Sequence, residues 1–209
     1  MVNPATRAMT IISRSKKAMI SPRALLLAVI AAVSFSDGGA ALAASAPSTV
    51  CEREMLRASE EHQVPLGVLY AVGLTETGRK GSLQPYALNV EGRALYSASA
   101  AEAMRKFQVA RAGGAKLIDL GCMQINHYYH GREFRSLGDM LAPHQNVEYA
   151  ARFLKELRQR EGSWTLAVAR YHAGPNNNPA QKRYVCRVIA NMVATGFGAW
   201  TANSRKFCR

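Results

Sequence analysis

Apolar positions along the chain recur at three- and four-residue steps, and the strict alternation that marks a strand is nearly absent. The stretch "EREMLRASEEH", with Met55 and Leu56, predicts a first helix over about 50–62, broken at Val64-Pro65. Pro65 suits the first position of a second helix, "PLGVLYAVGLTE". There Leu66, Leu69, Tyr70, Val72 and Gly73 leave almost no polar side, so this helix is expected at the centre of the fold, with the glycines just beyond it as its stop. "GRKGSLQPYALNVEG" is loop chemistry, rich in Gly, Pro and Asn. A third helix follows in "SASAAEAMRKFQVARAGG", with Ser97 or Ser99 as its cap and Gly113 at its end. "AKLIDLGCMQIN" is short and mixed, and "HYYHGREF" reads as loop or broken turn. The best helical period lies in "SLGDMLAPHQNVEYAARFLKELRQREG", where Val147, Ala150, Ala151, Leu154 and Leu157 share a face. Ser163 caps "SWTLAVARYHAG", the asparagines 176–178 make a polar turn with Asn178 or Pro179 near a helix start, and "NPAQKRYVCRVIANMVATGFG" is the last long helix. The pattern predicts a mainly helical, all-α domain without repeats or an internal linker.

The first residues change this picture. Basic residues (Arg7, Arg14, Lys16, Lys17, Arg23), the apolar run 24–35 and the small-residue stretch "ALAASA" read as a secretory signal peptide cleaved after Ala43. The run is about half of the roughly 20 residues a membrane-spanning helix needs. Met19 is a second candidate start and yields the same mature chain, 44–209. Of the 27 Lys and Arg, five precede residue 44, as does one of the 14 Asp and Glu; the mature chain therefore holds 22 against 13, a net +9. A basic exported protein suits an anionic wall or lipid surface. Nucleic acid is not expected as a partner, because the mature chain has no basic run. Cys51, Cys122, Cys186 and Cys208 are an even set in an oxidising compartment, so two disulfides are expected, with three pairings open. The alternative for Cys122, inside an apolar motif, is a buried free thiol.

Glu76 is the residue on which function turns. A glutamate at the end of an apolar helix is poorly solvated when ionised, which makes it a candidate proton donor. Three stretches stand in order: "TETG" (75–78), "GCMQIN" (121–126) and "ARYHAGPNN" (169–177). Together they resemble the lytic transglycosylases of the lysozyme superfamily, whose signature is a Glu-Ser-Gly-like stretch, then Gly-Leu-Met-Gln, then Ala-Tyr-Asn-Ala-Gly-Pro. The resemblance runs from about Val64 to Val193, and the region 119–157 is similar to the small stand-alone enzymes that accompany secretion, conjugation and flagellar machines. Thr77, Cys122 and His172 stand where Ser, Leu and Asn are usual.

The resemblance implies a lysozyme-like fold and a single catalytic carboxylate, Glu76, acting on peptidoglycan glycan strands in the periplasm. It implies that Tyr171 presents its hydroxyl toward that carboxyl. Gln124 offers an amide suited to a sugar N-acetyl or hydroxyl group, and Met123 a soft apolar wall. Thr77, Asn89, Asn126 and His172 complete the candidate substrate contacts; Thr77 could instead bond back to the backbone. No cofactor is expected, and no metal, although His127 and His130 stand three apart. A monomer is expected, with flagellar or secretion proteins as possible partners. Two rivals remain. One is a goose-type lysozyme relative in which Asp119, one of two aspartates in the mature chain, helps activate water. The other is a non-catalytic module that binds glycan or scaffolds a secretion complex.

Overall fold

The structure is a computed structural model that describes residues 49–79, 81–174 and 178–209. The expected leader over 1–43, and Pro175, Asn176 and Asn177 of the third motif, lie outside the described residues. Helix α1 (Val50–His62) is closed at its start by a reciprocal box between Thr49 and Glu52. Helix α2 (Leu66–Thr77) begins after Pro65, which acts as the N-cap rather than the first helical residue: its carbonyl accepts from Val68 and Leu69. Helix α3 (Ala100–Ala112) uses Ser99, not Ser97, as its cap, and Gly113 ends it. The long periodic stretch is two helices, α5 (Leu137–Leu141) and α6 (Pro143–Glu161), because Pro143 has no N–H to continue the first and is suited to open the second. Helices α7 (Trp164–Ala173) and α8 (Asn178–Ala194) follow, the former capped by Ser163. A short α9 (Ala202–Phe207) has no counterpart in the sequence reading.

Helix α2 is the hub. It packs on α1 and α8, while α6 packs on α1 and α7, and α7 on α8. Gly67, Val68, Leu69, Ala71, Val72 and Gly73 are all buried, so its apolar character on every side is matched by neighbours on every side. A β-carbon at Gly73 would lie 2.4 Å from the Met55 methyl and 3.1 Å from a Leu83 methyl, so a larger residue there would require these buried side chains to shift. The predicted face of α6 (Val147, Ala150, Ala151, Leu154, Leu157) is buried throughout.

The chain is mainly helical, as expected, with one addition. Four very short strands, β1 (Leu88–Val90), β2 (Arg93–Leu95), β3 (Ile118–Leu120) and β4 (Ile125–Asn126), form an antiparallel sheet in the order β2-β1-β3-β4. Glu91 and Gly92, both at positive φ, make the two-residue hairpin turn between β1 and β2. "GCMQ", 121–124, is the turn that joins β3 to β4. "HYYH" is a single helical turn, α4 (His127–His130), followed by a 3-10 turn (Gly131–Glu133).

Two disulfides are present, Cys51–Cys122 and Cys186–Cys208. Cys122 is therefore not a free thiol. Its bridge ties α1 to the β3–β4 turn, and the other ties α8 to the chain end.

Candidate active site

Glu76 sits in the last turn of α2, its side chain 16% exposed. Tyr184, on the buried face of α8, donates its hydroxyl to Glu76 Oε1 at 2.6 Å. His172 Nδ1 lies 3.9 Å from the same oxygen, and its ring stacks on Tyr184 with centroids 4.1 Å apart and planes 3° from parallel. Burial is the first cause acting on the carboxyl and raises its pKa to about 7; the Tyr184 bond opposes this, the Asp119 charge adds to it, and the Arg187 charge opposes it. A carboxyl with a pKa near neutrality can be protonated when it meets substrate and can take a proton back afterwards.

Glu76 opens into a cleft of about 630 Å³. One wall is the small sheet. Register pairs Asn89 with Asp119 and Asp119 with Asn126, so three polar residues lie side by side across β1, β3 and β4. Their neighbours Leu88, Val90, Ile118 and Leu120 are buried on the other face. Asp119 accepts from Asn126 Nδ2 at 2.6 Å, and burial raises its pKa against that bond. Asn126 also caps α4 through its carbonyl oxygen, and Asn89 accepts from Gly92 N–H at 2.8 Å. Tyr129, Phe153 and Tyr171 add aromatic rings to the lining.

The three motifs meet at the β3–β4 turn. Thr77, 3% exposed, bonds through its hydroxyl to the carbonyls of Gly73 and Cys122. Tyr171 donates to the Met123 carbonyl at 2.7 Å, so its hydroxyl is engaged with the turn and not with Glu76. Gln124, at φ 47°, turns its amide back to the carbonyls of Ala87 and Gly121. That left-handed backbone is uncommon for a residue with a side chain and is characteristic of sites held rigid by their surroundings.

Of the candidate substrate contacts, Asn89, Gln124, Asn126, Tyr171 and His172 line the cleft with Glu76. Thr77 and Met123 do not line it. Met123 is fully buried against the core, and Thr77 has the backbone-bonding role. His127 and His130 serve packing: His127 contacts the Phe107 ring, and His130 Nδ1 is 2.7 Å from the Tyr149 hydroxyl. Glu61, His62 and Glu148 do approach one another, but the Arg57 guanidinium already bridges the two glutamates.

Sequence reasoning missed two residues. Tyr184 had a signal, a tyrosine on the apolar face of α8 that must find a partner for its hydroxyl when buried. Asn146 had none. It is fully buried, accepts from Met123 N–H at 2.9 Å and donates to the carbonyls of Leu120 (2.8 Å) and Met140 (2.9 Å).

No curated protein and no solved structure matches the chain. The family model of the transglycosylase SLT domain matches residues 55–190. That span takes in Glu76, the β3–β4 turn, the Tyr171 motif and Tyr184, and the chain belongs to the transglycosylase SLT domain family.

Proposed function

We propose that the protein is a lytic transglycosylase that cleaves the β-1,4 bond between N-acetylmuramic acid and N-acetylglucosamine in peptidoglycan and leaves 1,6-anhydro ends. The observation that carries this reading is the largely desolvated Glu76 carboxyl, 16% exposed and with its pKa raised to about 7, opening into a cleft lined with amide and aromatic side chains. In the first step Glu76 gives its proton to the glycosidic oxygen as the bond from C1 of the muramic residue breaks, and the N-acetyl group of that sugar stabilises the cationic centre. In the second, ionised Glu76 takes the proton of the sugar's own 6-hydroxyl as that oxygen attacks C1. The carboxyl is protonated again, no water is consumed, and one residue serves as acid and then base. Tyr184 orients the carboxyl and supports its ionised form between the steps.

A second reading rests on Asp119, which lines the same cleft and whose charge acts on Glu76. With water activated there, the enzyme would be a hydrolase and release reducing ends. Mass spectrometry of muropeptides released from purified peptidoglycan, by the protein and by Glu76→Gln, separates the two by one water. Anhydro products that vanish in the variant support the lyase, reducing ends support the hydrolase, and no release by either protein leaves a glycan-binding module. The export signal expected from the sequence, together with the disulfides, suits action outside the cytoplasm, and among the described residues no helix is long and apolar enough to cross a membrane. We assign the cellular role to local wall opening by a monomer, in the service of a flagellum or secretion apparatus, on the resemblance to the small stand-alone enzymes.

A further inference from the structure

A second concavity, about 790 Å³, adjoins the first, and His172 lines both. One side of it is the outer face of α8, where Lys182, Arg183 and Arg187 recur at helical spacing; the other is the chain end, brought back by the Cys186–Cys208 bridge and contributing Arg209. Lys182 is partly occupied, donating to the main-chain oxygen of Arg209 at 3.0 Å. Arg183 and Arg187 are exposed, and among the described residues neither forms an ion pair with a carboxylate. The sequence explains why: after Glu161 the chain contains no further Asp or Glu.

The acid chemistry of the cleft does not account for these cations. Arg187 lowers the pKa of Glu76, opposing the protonated form that the first step needs, and that of His172 is lowered first by burial and then by the charges of Arg187 and Arg183. Clustered like charge in a concave wall raises the local potential and awaits an anion. Arg guanidinium groups favour carboxylates because their paired N–H donors match the two oxygens.

We propose that this groove binds the carboxylates of the peptide stem carried by the muramic residue at the cleavage point. The proposal rests on the transglycosylase reading of the adjoining cleft and adds to it a determinant of substrate choice. The stem leaves the glycan at the lactyl ether of the sugar whose bond is cleaved, so a stem turned past His172 reaches Arg183 and Arg187 while the glycan lies along the sheet wall. Carboxylates on these arginines also mask the charge that opposes protonated Glu76. The groups acting on that carboxyl are Tyr184 and Arg187 from α8, Asp119 from β3, and His172 and Tyr171 from α7; of these, Arg187 is the one a stem carboxylate would neutralise.

The test has a binding arm and a turnover arm. In the first, Glu76→Gln protein is titrated with acetyl-L-Ala-γ-D-Glu-diaminopimelate and with the same peptide amidated at its carboxyls. The acid form should bind and the amide should not, and Arg183→Glu should weaken the acid form roughly three- to tenfold, the scale of partly exposed charge pairs. In the second, kcat/KM is measured on glycan with stems and on glycan stripped of them by an amidase. Wild type should favour stem-bearing glycan, with its alkaline limb at higher pH, and Arg183→Glu should reduce the preference by the same factor. Equal binding of acid and amide, or a preference unaltered in Arg183→Glu, overturns the groove while leaving the transglycosylase reading intact. Peptide binding without anhydro product from any glycan overturns the transglycosylase reading and retains the groove. Retention on phosphatidylglycerol vesicles with no response to the peptide overturns the proposal in favour of a lipid surface.

Discussion

Replacing Glu76 by Gln should abolish turnover and stabilise the fold. The carboxyl titrates at about 7 in the folded protein against 4.5 for an unperturbed glutamate. Between those values the folded protein holds the proton more tightly than the unfolded chain, so wild-type stability falls as pH rises from 4.5 to about 7 and then levels off. The difference corresponds to roughly 3 kcal/mol, carried as a penalty above pH 7. Gln does not ionise, and its amide oxygen still accepts from Tyr184, which keeps the packing around the site. The variant and wild type should therefore unfold at nearly the same urea concentration at pH 4.5. At pH 8 the variant should be the more stable by roughly 3 kcal/mol, or about 6–12 °C in Tm for a domain of this size. Asp119 is also raised by burial and gives both proteins a common slope at lower pH, so the reading is the difference between the two curves. Parallel curves, or a variant less stable at pH 8, would refute the claim that burial holds this carboxyl near neutrality.

The Tyr184 bond lowers the Glu76 pKa, so Tyr184→Phe should move the alkaline limb of the pH–rate profile upward while kcat falls roughly tenfold from a loosened carboxyl; a limb that moves down contradicts this. Asp119 raises the same pKa, so Asp119→Asn should move the limb downward and leave the product a 1,6-anhydro sugar, which mass spectrometry checks. Asn146→Leu strands one N–H and two carbonyls in the core and should cost at least about 3 kcal/mol in urea unfolding. Replacing both Cys51 and Cys122 by Ala releases a constraint spanning 71 residues and should cost about 4 kcal/mol, against about 3 for the 22-residue pair Cys186 and Cys208; a reversed order in urea would count against a chain-entropy origin.

The longer helices were legible because each carries its own signal. Val50–His62 has the predicted bounds, Ser99, Gly113 and Ser163 cap and stop as expected, and the buried face of α6 is the one its spacing marks. The sheet was not, because strands of two or three residues are too short to alternate. The same length limit hid why Asn89 and Asn126 matter: they read as loop residues, and only register with Asp119 puts them on one wall. Glu76 was visible from its apolar helix. Its partner Tyr184 is 108 residues away, a contact made by the packing of α8 on α2 that no local pattern encodes.

That distance bears on how the three motifs act together. Each of them ends on the four-residue turn between β3 and β4: Thr77 on the Cys122 carbonyl, Tyr171 on the Met123 carbonyl, and Gln124 on the carbonyls of Gly121 within the turn and Ala87 just before β1. Asn146 and the Cys51 bridge hold the same turn from behind. A hydroxyl that donates in this way has no proton left to give to substrate, so two of the motif residues serve the site by fixing its geometry. Among the described residues the carboxyl has one direct donor, Tyr184, itself fully buried and stacked on His172. On the proposed mechanism a single carboxylate needs that economy, since the same oxygen would give up a proton and recover it from another atom of the sugar without the sugar leaving. Such an exchange works when the walls do not move between the two steps, and a turn tied at five points to α1, α2, α6, α7 and the sheet is a wall of that kind.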